Sequence, residues 1–305
     1  MSSPSQAHII EVGTRDGIQA EKQFVETDQK LRMLELILAA GVRRVEVTSF
    51  VRTRHVPQMA DAEAVLTGMD RPPGVEVEAL VPNMRGMERA LECRLDRAVL
   101  FVAASEGFNL KNLRAGREKM IAAAREAAKE ALGAGLKIRG GIVTAFGCPY
   151  EGRVPIEAVE SLAGEYADMG CDEVGLADTV GMTNPVAVRQ MVKHMGAKFP
   201  GIRFTLHFHN TRGAGLANVL AGFEAGVDTF DASFGGMGGC PFAPRATGNI
   251  ATEDTVNMFH EMGIGTGIDL LRLLEAVAYA ESVFDRQLPG QLLHAGLPDW
   301  DISAA

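Results

Sequence analysis

Two histidines separated by one residue interrupt an otherwise apolar run of the sequence. His207 and His209 end the run Phe204–His209, whose aromatic and β-branched residues predict a strand. Side chains alternate between the faces of a strand, so both imidazoles point the same way, about 7 Å apart along the chain. A lone buried histidine usually hydrogen bonds to a neighbour, whereas this spacing is typical of paired metal ligands.

Arg15 and Asp16 follow the first predicted strand in the turn Thr14–Gly17. Taken alone, an adjacent cation and anion in a turn are most simply explained as an exposed ion pair of little energetic weight. The alternative is that both side chains face a site and act on a ligand. Residues elsewhere in the chain are needed to decide between these interpretations.

A glycine-rich segment, Gly235–Pro241, follows the last predicted strand and is followed in turn by Thr247–Asn249. Such a segment is compatible with a phosphate cradle, a flexible linker or a mobile lid. It lacks the Lys-Ser/Thr of a P-loop and the GxGxxG spacing of a dinucleotide site. Cys240 is poorly placed for packing between glycines and a proline, which favours a lid that carries a thiol.

Short apolar runs alternate with amphipathic helical patterns along the chain. The predicted strands are His8–Gly13, Val42–Phe50, Val75–Val81, Ala98–Ala103, Leu136–Phe146, Glu173–Ala177, Arg203–His209 and Thr229–Phe234. Strict alternation predicts parallel strands with right-handed crossovers, and eight of them within about 250 residues indicate an α/β (β/α)8 TIM barrel. An open doubly wound sheet is the structural alternative.

Helix signals support the same alternation. The first helix is predicted to begin at Thr27 as its N-cap and to end at Gly41. Further helices are predicted at Pro155–Met169, Pro185–Met195 behind Asn184, and Leu216–Phe223, and a C-terminal apolar stripe is predicted from Leu270, Leu271, Leu274 and Val277. We therefore expect one domain over residues 1–305, with the barrel at about 8–265, extra C-terminal helices at about 266–305, and an irregular tail from Leu288.

Barrel closure would bring the first, seventh and eighth strands together with their carboxyl ends on one face. Four side chains would then converge as ligands for a divalent ion: Asp16, His207, His209 and Asn249. Glu46 and Asp178 would face the same mouth. For Glu46, pairing with Arg15 or Arg139 is at least as good a hypothesis as catalysis.

Composition excludes several classes of protein. The 305 residues are 47% hydrophobic and 23% charged, which suits a large core and argues against disorder. A net charge of −9, with no run of Lys or Arg longer than a pair, argues against nucleic-acid or anionic membrane partners. Four widely spaced cysteines and the lack of a leader or membrane-spanning run lead us to expect a cytoplasmic protein.

Several segments together resemble 3-hydroxy-3-methylglutaryl-CoA lyases. They are Glu11–Lys22, Val45–Phe50, Gly147–Gly152, His207–Thr211 and Gly238–Phe242. The likeness runs from about Ile9 to about Leu274, and the Arg15-Asp16 turn resembles the signature of a wider barrel metallolyase superfamily. That superfamily also includes the isopropylmalate, homocitrate and citramalate synthases.

The resemblance implies cleavage of a 3-hydroxyacyl-CoA to acetyl-CoA and a 3-keto acid such as acetoacetate, as in leucine degradation and ketone-body formation. It implies Mg²⁺ or Mn²⁺ as the cation, held by Asp16, His207, His209 and Asn249. It makes catalytic candidates of Arg15, Asp178, His207 and Cys240, and substrate-binding candidates of Glu11, Lys22, Glu46 and Arg139. The expected partners are the acyl-CoA and a second copy of the chain, in a homodimer or higher homo-oligomer.

Some positions depart from the pattern of the lyases. Gly141 stands where animal lyases carry a tyrosine, and His55 stands where a tryptophan is usual. Both changes predict more room around the acyl group and a C3 substituent bulkier than methyl. Asn210 and Phe242 replace an aspartate and a tyrosine, which are milder changes.

Three other functions remain as alternatives. A Claisen-type synthase of the same superfamily is the nearest, although the Gly-Gly-Cys-Pro segment favours a lyase. A Schiff-base aldolase is weaker, because Lys22 and Lys137 show no desolvated setting. A non-catalytic ligand-binding barrel would predict damage to the candidate site residues, and all of them are intact.

Overall fold

The computed structural model describes residues 4–239 and 248–298. Its eight strands form a closed parallel barrel in chain order, in which β8 pairs with β1. They are β1 His8–Glu11, β2 Arg44–Ser49, β3 Glu76–Leu80, β4 Arg97–Ala103, β5 Lys137–Val143, β6 Glu173–Asp178, β7 Arg203–Phe208 and β8 Thr229–Ala232. The prediction of a (β/α)8 barrel is confirmed, and the open sheet is excluded.

Helices separate successive strands on the outside of the barrel. They are α1 Thr27–Ala39, α2 Ala62–Gly68, α3 Met84–Leu91, α4 Glu106–Phe108, α5 Arg117–Gly133, α6 Ile156–Asp168, α7 Pro185–Lys198 and α8 Gly215–Glu224, followed after β8 by α9 Thr252–Glu261, α10 Leu270–Phe284 and α11 Leu292–Ala295. Asn184 caps α7 as predicted, since its Oδ1 accepts hydrogen bonds from two backbone amides. None of the described helices is both long and apolar enough to cross a membrane.

Two details of the helices differ from the predictions. The N-cap of α1 is Glu26, in a reciprocal capping box with Gln29, while the Thr27 hydroxyl donates to Asp61 at 2.8 Å instead. On α10, Leu273 and Val277 are buried but Leu271 is 64% exposed, because a step of one residue turns it about 100° away from the packed face. The tail also forms α11, where irregular chain was expected.

Charged side chains fill the barrel lumen below the mouth. Arg44 donates from Nη1 and Nη2 to Glu173, at 2.8 and 2.5 Å, and pairs with Glu78. Arg139 lies 3.3 Å from both Glu78 and Glu173 and binds both oxygens of Asp231, at 2.6 and 2.8 Å. Burial raises the pKa of Glu78 to about 7 against the pull of both arginines. These arginines and carboxylates form the floor of the lumen, where each buried charge is neutralised by partners of opposite charge.

Replacing Arg44 with Met should destabilise the barrel strongly. The variant leaves Glu78 and Glu173 short of a buried counter-charge, and we expect the free energy of unfolding in urea to fall by about 3–5 kcal/mol. Arg32→Met is the matched control, because Arg32 forms an exposed pair with Glu35 on α1. The control should change stability by less than about 1 kcal/mol, and equal effects of the two variants would refute this account of the network.

Candidate metal and active site

Arg15 and Asp16 stand on a five-residue π-helical turn, Gly13–Gly17, directly after β1. The amides of Asp16 and Gly17 both donate to the carbonyl of Val12, at 2.7 and 3.2 Å. A Cβ at Gly13 would lie 2.4 Å from the Phe234 ring, so this turn packs against the chain beyond β8 only because the residue is glycine. Single π-turns of this kind are frequent at functional sites.

The Arg15 side chain is buried rather than displayed on the surface. It is 11% exposed, and it donates from Nη1 to Asp16 and from Nε to Glu46. Burial by itself lowers the pKa of Arg15, but Glu46 and Asp16 outweigh it and raise that pKa above its ordinary value. The interpretation as an exposed ion pair is therefore wrong, and Arg15 is a permanent cation held at the mouth of the barrel.

Asp16 lies close to His207, on β7, and to His209, directly after the end of β7. Its Oδ2 lies 4.0 Å from His207 Nε2 and 3.7 Å from His209 Nε2, and potential ligand atoms of the three residues all lie within 4.8 Å of one another. Two ligands that each sit about 2.1 Å from one ion are at most about 4.2 Å apart. The two distances from Asp16 to the histidines lie within this limit and therefore suit a single divalent cation.

Asn249 joins the same group across the barrel closure. Its Nδ2 donates to Asp16 Oδ2 at 2.8 Å and to the carbonyl of Met237 at 2.9 Å. Among the described residues, Asn249 Oδ1 and His209 Nδ1 are buried polar atoms without a hydrogen-bond partner. Turning the amide over would direct Oδ1 toward a cation beside Asp16 and would give up both hydrogen bonds of Nδ2.

The protonation states also suit a cation. Burial and repulsion by His207 lower the pKa of His209 to about 4 despite the attraction of Asp16, so one of its ring nitrogens has a free lone pair at neutral pH. Burial favours the neutral form of Asp16, but Arg15 and the two histidines lower its pKa to about 2. Neutral imidazole and ionised carboxylate are the forms that bind metal.

Asp231 is a residue of this centre that the sequence predictions missed. It lies on β8 and accepts a hydrogen bond from His207 Nδ1 at 3.2 Å, while Arg139 holds both of its oxygens. The bond leaves His207 Nε2 facing Asp16 and so selects the orientation and tautomer that a ligand needs. A charged residue within the apolar run Thr229–Phe234 was an available signal, of the same kind as the histidines of β7.

Asp178 ends β6 beside the histidines. It is fully buried, and its carboxylate accepts hydrogen bonds from the amides of Met182 and Thr183, at 2.8 and 3.0 Å. Burial raises its pKa despite those bonds. Its register partner on β7 is Phe208, while that of His207 is Ala177, so Asp178 follows the His207 pair by one position. Its part in proton transfer stays a prediction.

Three residues expected near the substrate lie elsewhere. Glu11 is fully buried and accepts from the amides of Gly13 and Phe234 and from the Thr252 hydroxyl, so these donors rather than a substrate occupy it. Arg139 is 2% exposed in the lumen network, because the buried carboxylates below the mouth hold it there. In the described part of the chain, Lys22 is exposed before α1 and shares no ion pair with the centre.

Cys240 and its predicted lid lie outside the described residues.

The comparisons with known proteins agree with this geometry. The HMGL-like family model matches residues 6–279. The chain belongs to the HMGL-like family. It is 40% identical to hydroxymethylglutaryl-CoA lyase YngG of Bacillus subtilis, over 96% of this chain and 98% of that protein. It is 37% identical to the human mitochondrial hydroxymethylglutaryl-CoA lyase, over 96% of this chain and 90% of the relative.

Solved structures give the same relationship for this HMGL-like barrel. An HMG-CoA lyase from Acinetobacter baumannii, described in complex with coenzyme A and 3-methylmalate, superposes with a TM-score of 0.94 at 39% identity and covers 100% of both chains. The HMG-CoA lyase of Bacillus subtilis also gives a TM-score of 0.94 at 40% identity, over 97% of this chain and 99% of that one.

Asp231→Asn should weaken cation binding by the HMGL-like centre. The amide lacks the charge that orients His207, and loss of such a partner typically costs about 10–100-fold in metal affinity. Mn²⁺ titration followed by electron paramagnetic resonance measures this directly. Asp172→Asn, which alters an exposed carboxylate that binds Arg97, is the control. An unchanged Mn²⁺ affinity in Asp231→Asn would contradict the assignment.

Glu253 should make the stability of this fold depend on pH. Its Oε2 accepts from the amide of Gly235, and burial raises its pKa from 4.5 to about 8. A raised pKa means that the folded state binds more protons, so this contribution to stability is complete below pH 4.5 and is lost as pH rises through about 8. We expect the free energy of unfolding in urea to fall less between pH 5 and pH 8 for Glu253→Gln than for the parent protein. Parallel pH profiles of the two proteins would contradict this prediction.

Proposed function

We propose that this chain is a divalent-metal-dependent carbon–carbon lyase. Its substrate is 3-hydroxy-3-methylglutaryl-CoA or a related 3-hydroxyacyl-CoA, and its products are acetyl-CoA and a 3-keto acid, acetoacetate for the methyl substrate. The observation that carries the proposal is the convergence of Asp16, His207 and His209 beside the buried cation Arg15 in an HMGL-like barrel. The solved relative that holds coenzyme A supports a CoA thioester as the ligand class.

Four residues would hold the cation: Asp16, His207, His209 and Asn249. We propose Mg²⁺ or Mn²⁺, because oxygen ligands and imidazole together suit such ions. When bound, the cation supplies Lewis acidity that makes a coordinated hydroxyl more acidic. The remaining chemistry falls to side chains of the chain itself.

The reaction needs a base for the C3 hydroxyl proton and an acid for the departing acetyl-CoA carbon. We propose His207 and Asp178 as the groups that carry protons near the C3 hydroxyl. Since His207 Nδ1 is engaged by Asp231, His207 would exchange a proton at Nε2 only when that nitrogen is not bound to the cation, a constraint that does not apply to Asp178. Cys240, on the segment outside the described residues, is the proposed donor to the acetyl-CoA carbon.

Arg15 is suited to the charge that develops as the C2–C3 bond breaks. The electron pair of that bond moves onto the thioester oxygen as an enolate, and the carbonyl of the 3-keto acid forms from the hydroxyl carbon. A planar guanidinium has further N–H donors besides those that bind Glu46 and Asp16, so Arg15 can donate to this oxygen. Its two carboxylate partners hold it in place before the substrate arrives.

The setting of the enzyme is also a proposal. Cys93, Cys148 and Cys171 are free thiols, which supports a reducing compartment, and we propose a cytoplasmic location. We also propose a homodimer or higher homo-oligomer and, from the product class, a role in leucine degradation or ketone-body formation.

The test is the release of acetyl-CoA from 3-hydroxy-3-methylglutaryl-CoA. We expect activity to be lost after dialysis against EDTA and to return with Mg²⁺ or Mn²⁺. Asp16→Asn should reduce kcat by at least about a thousandfold, because it removes the anion that links Arg15 to the histidines. Asp70→Asn changes an exposed carboxylate and should have no effect. Full activity in the EDTA-treated protein, or in Asp16→Asn, would contradict the proposal.

A further inference from the structure

The mouth of the barrel has one polar side and one apolar side. The polar side comes from β1, β2 and β7 and their following turns, and it includes Arg15, Glu46 and His207. The apolar side comes from β3 to β6, where the lumen-facing positions that remain partly exposed are Leu80, Phe101, Gly141, Val143 and Ala177. Ala177 is the register partner of His207, so the apolar side begins next to the proposed cation centre.

Gly141 adds no side chain to this apolar side, although its backbone conformation does not require glycine. Its φ is not in the left-handed region, and a Cβ there would lie 3.3 Å from Phe101 Cβ, a tight contact that a shift of a few tenths of an ångström would relieve. Gly140 differs, since its Cβ would lie 2.4 Å from the Tyr166 ring. Gly175, the register partner of Gly141 on β6, differs as well, because the Arg139 guanidinium lies 3.1 Å from its Cβ position.

Gly141 is partly exposed toward the mouth, whereas Gly175 is buried against the Arg139 guanidinium, which binds Asp231 and Thr205 at the lumen floor. The space over Gly141 is therefore accessible to solvent. The side chains around it, Phe101, Val143 and Ala177, offer no hydrogen-bonding groups. Such a surface is suited to an alkyl group and unsuited to a hydroxyl or a carboxylate.

We propose that Gly141 is a specificity-determining residue and that the space over it receives the alkyl substituent at C3 of the substrate. The substrate class is 3-hydroxy-3-alkylglutaryl-CoA with an alkyl chain longer than methyl. This inference rests on the proposed lyase function: the polar side of the mouth binds the hydroxyl and carboxylate groups, which leaves the apolar side for the third substituent on C3.

The experiment compares 3-hydroxy-3-methylglutaryl-CoA with its 3-butyl homologue as substrates, in the presence of Mg²⁺ or Mn²⁺, by release of acetyl-CoA. For the parent protein we expect kcat/KM of the butyl substrate to equal or exceed that of the methyl substrate. Gly141→Leu should lower the butyl-to-methyl ratio of kcat/KM by at least about tenfold, since the added side chain fills the space for the alkyl group. Gly141→Ala should give a smaller change in the same direction and covers the case in which the leucine variant does not fold.

Gly133→Leu is the matched control. Gly133 lies in α5 with no atom within 4 Å of its Cβ position, and the same added side chain there should leave the substrate ratio unchanged. A parent protein that prefers the methyl substrate overturns the inference, and so does an unchanged ratio in both Gly141 variants. If neither substrate released acetyl-CoA, the lyase proposal itself would be overturned, and this inference with it. That outcome is distinguishable from a preference for the methyl substrate, which overturns only this inference.

Discussion

The centre of this protein depends on one buried carboxylate, that of Asp16. Water is nearly excluded from it, and an ionised carboxylate in such a place is costly unless opposite charges or donors surround it. Arg15 supplies the charge, Asn249 donates a hydrogen bond, and His207 and His209 complete the surroundings. Arg15 is the neighbouring residue, whereas the histidines and Asn249 come from the other end of the chain, so the complete set surrounds Asp16 only when the barrel closes.

A second layer of charge connects this centre to the barrel floor. Arg139 joins Glu78 and Glu173 to Asp231, and Asp231 in turn holds His207. Arg139, which does not reach the mouth, therefore fixes the orientation of His207, which does, by way of Asp231. This arrangement explains why a (β/α)8 lumen, more often filled with branched apolar residues, contains arginines and glutamates here. Stability and function share the same interactions, because a displaced Asp231 would disturb both.

The division of the mouth into two sides gives each a different task. The polar side provides donors, acceptors and a fixed positive charge, which are the requirements for binding a cation and for stabilising an enolate. The apolar side provides only shape. Chemistry and substrate choice can therefore vary separately, since a change at Gly141 alters the available space and leaves the groups that hold Asp16 in place.

Local patterns in the sequence determined much of the architecture. Alternating strands and helices predicted the barrel, and the faces of β7 predicted that His207 and His209 would act together, because side-chain direction follows from backbone periodicity alone. Periodicity does not say which partners a side chain meets. Only the tertiary structure decided that Arg15 is buried, that Glu11 and Arg139 serve the interior, and that Asp231 orients His207. Burial and pairing depend on which strands become neighbours across the closed sheet, and that proximity arises only when the whole chain has folded.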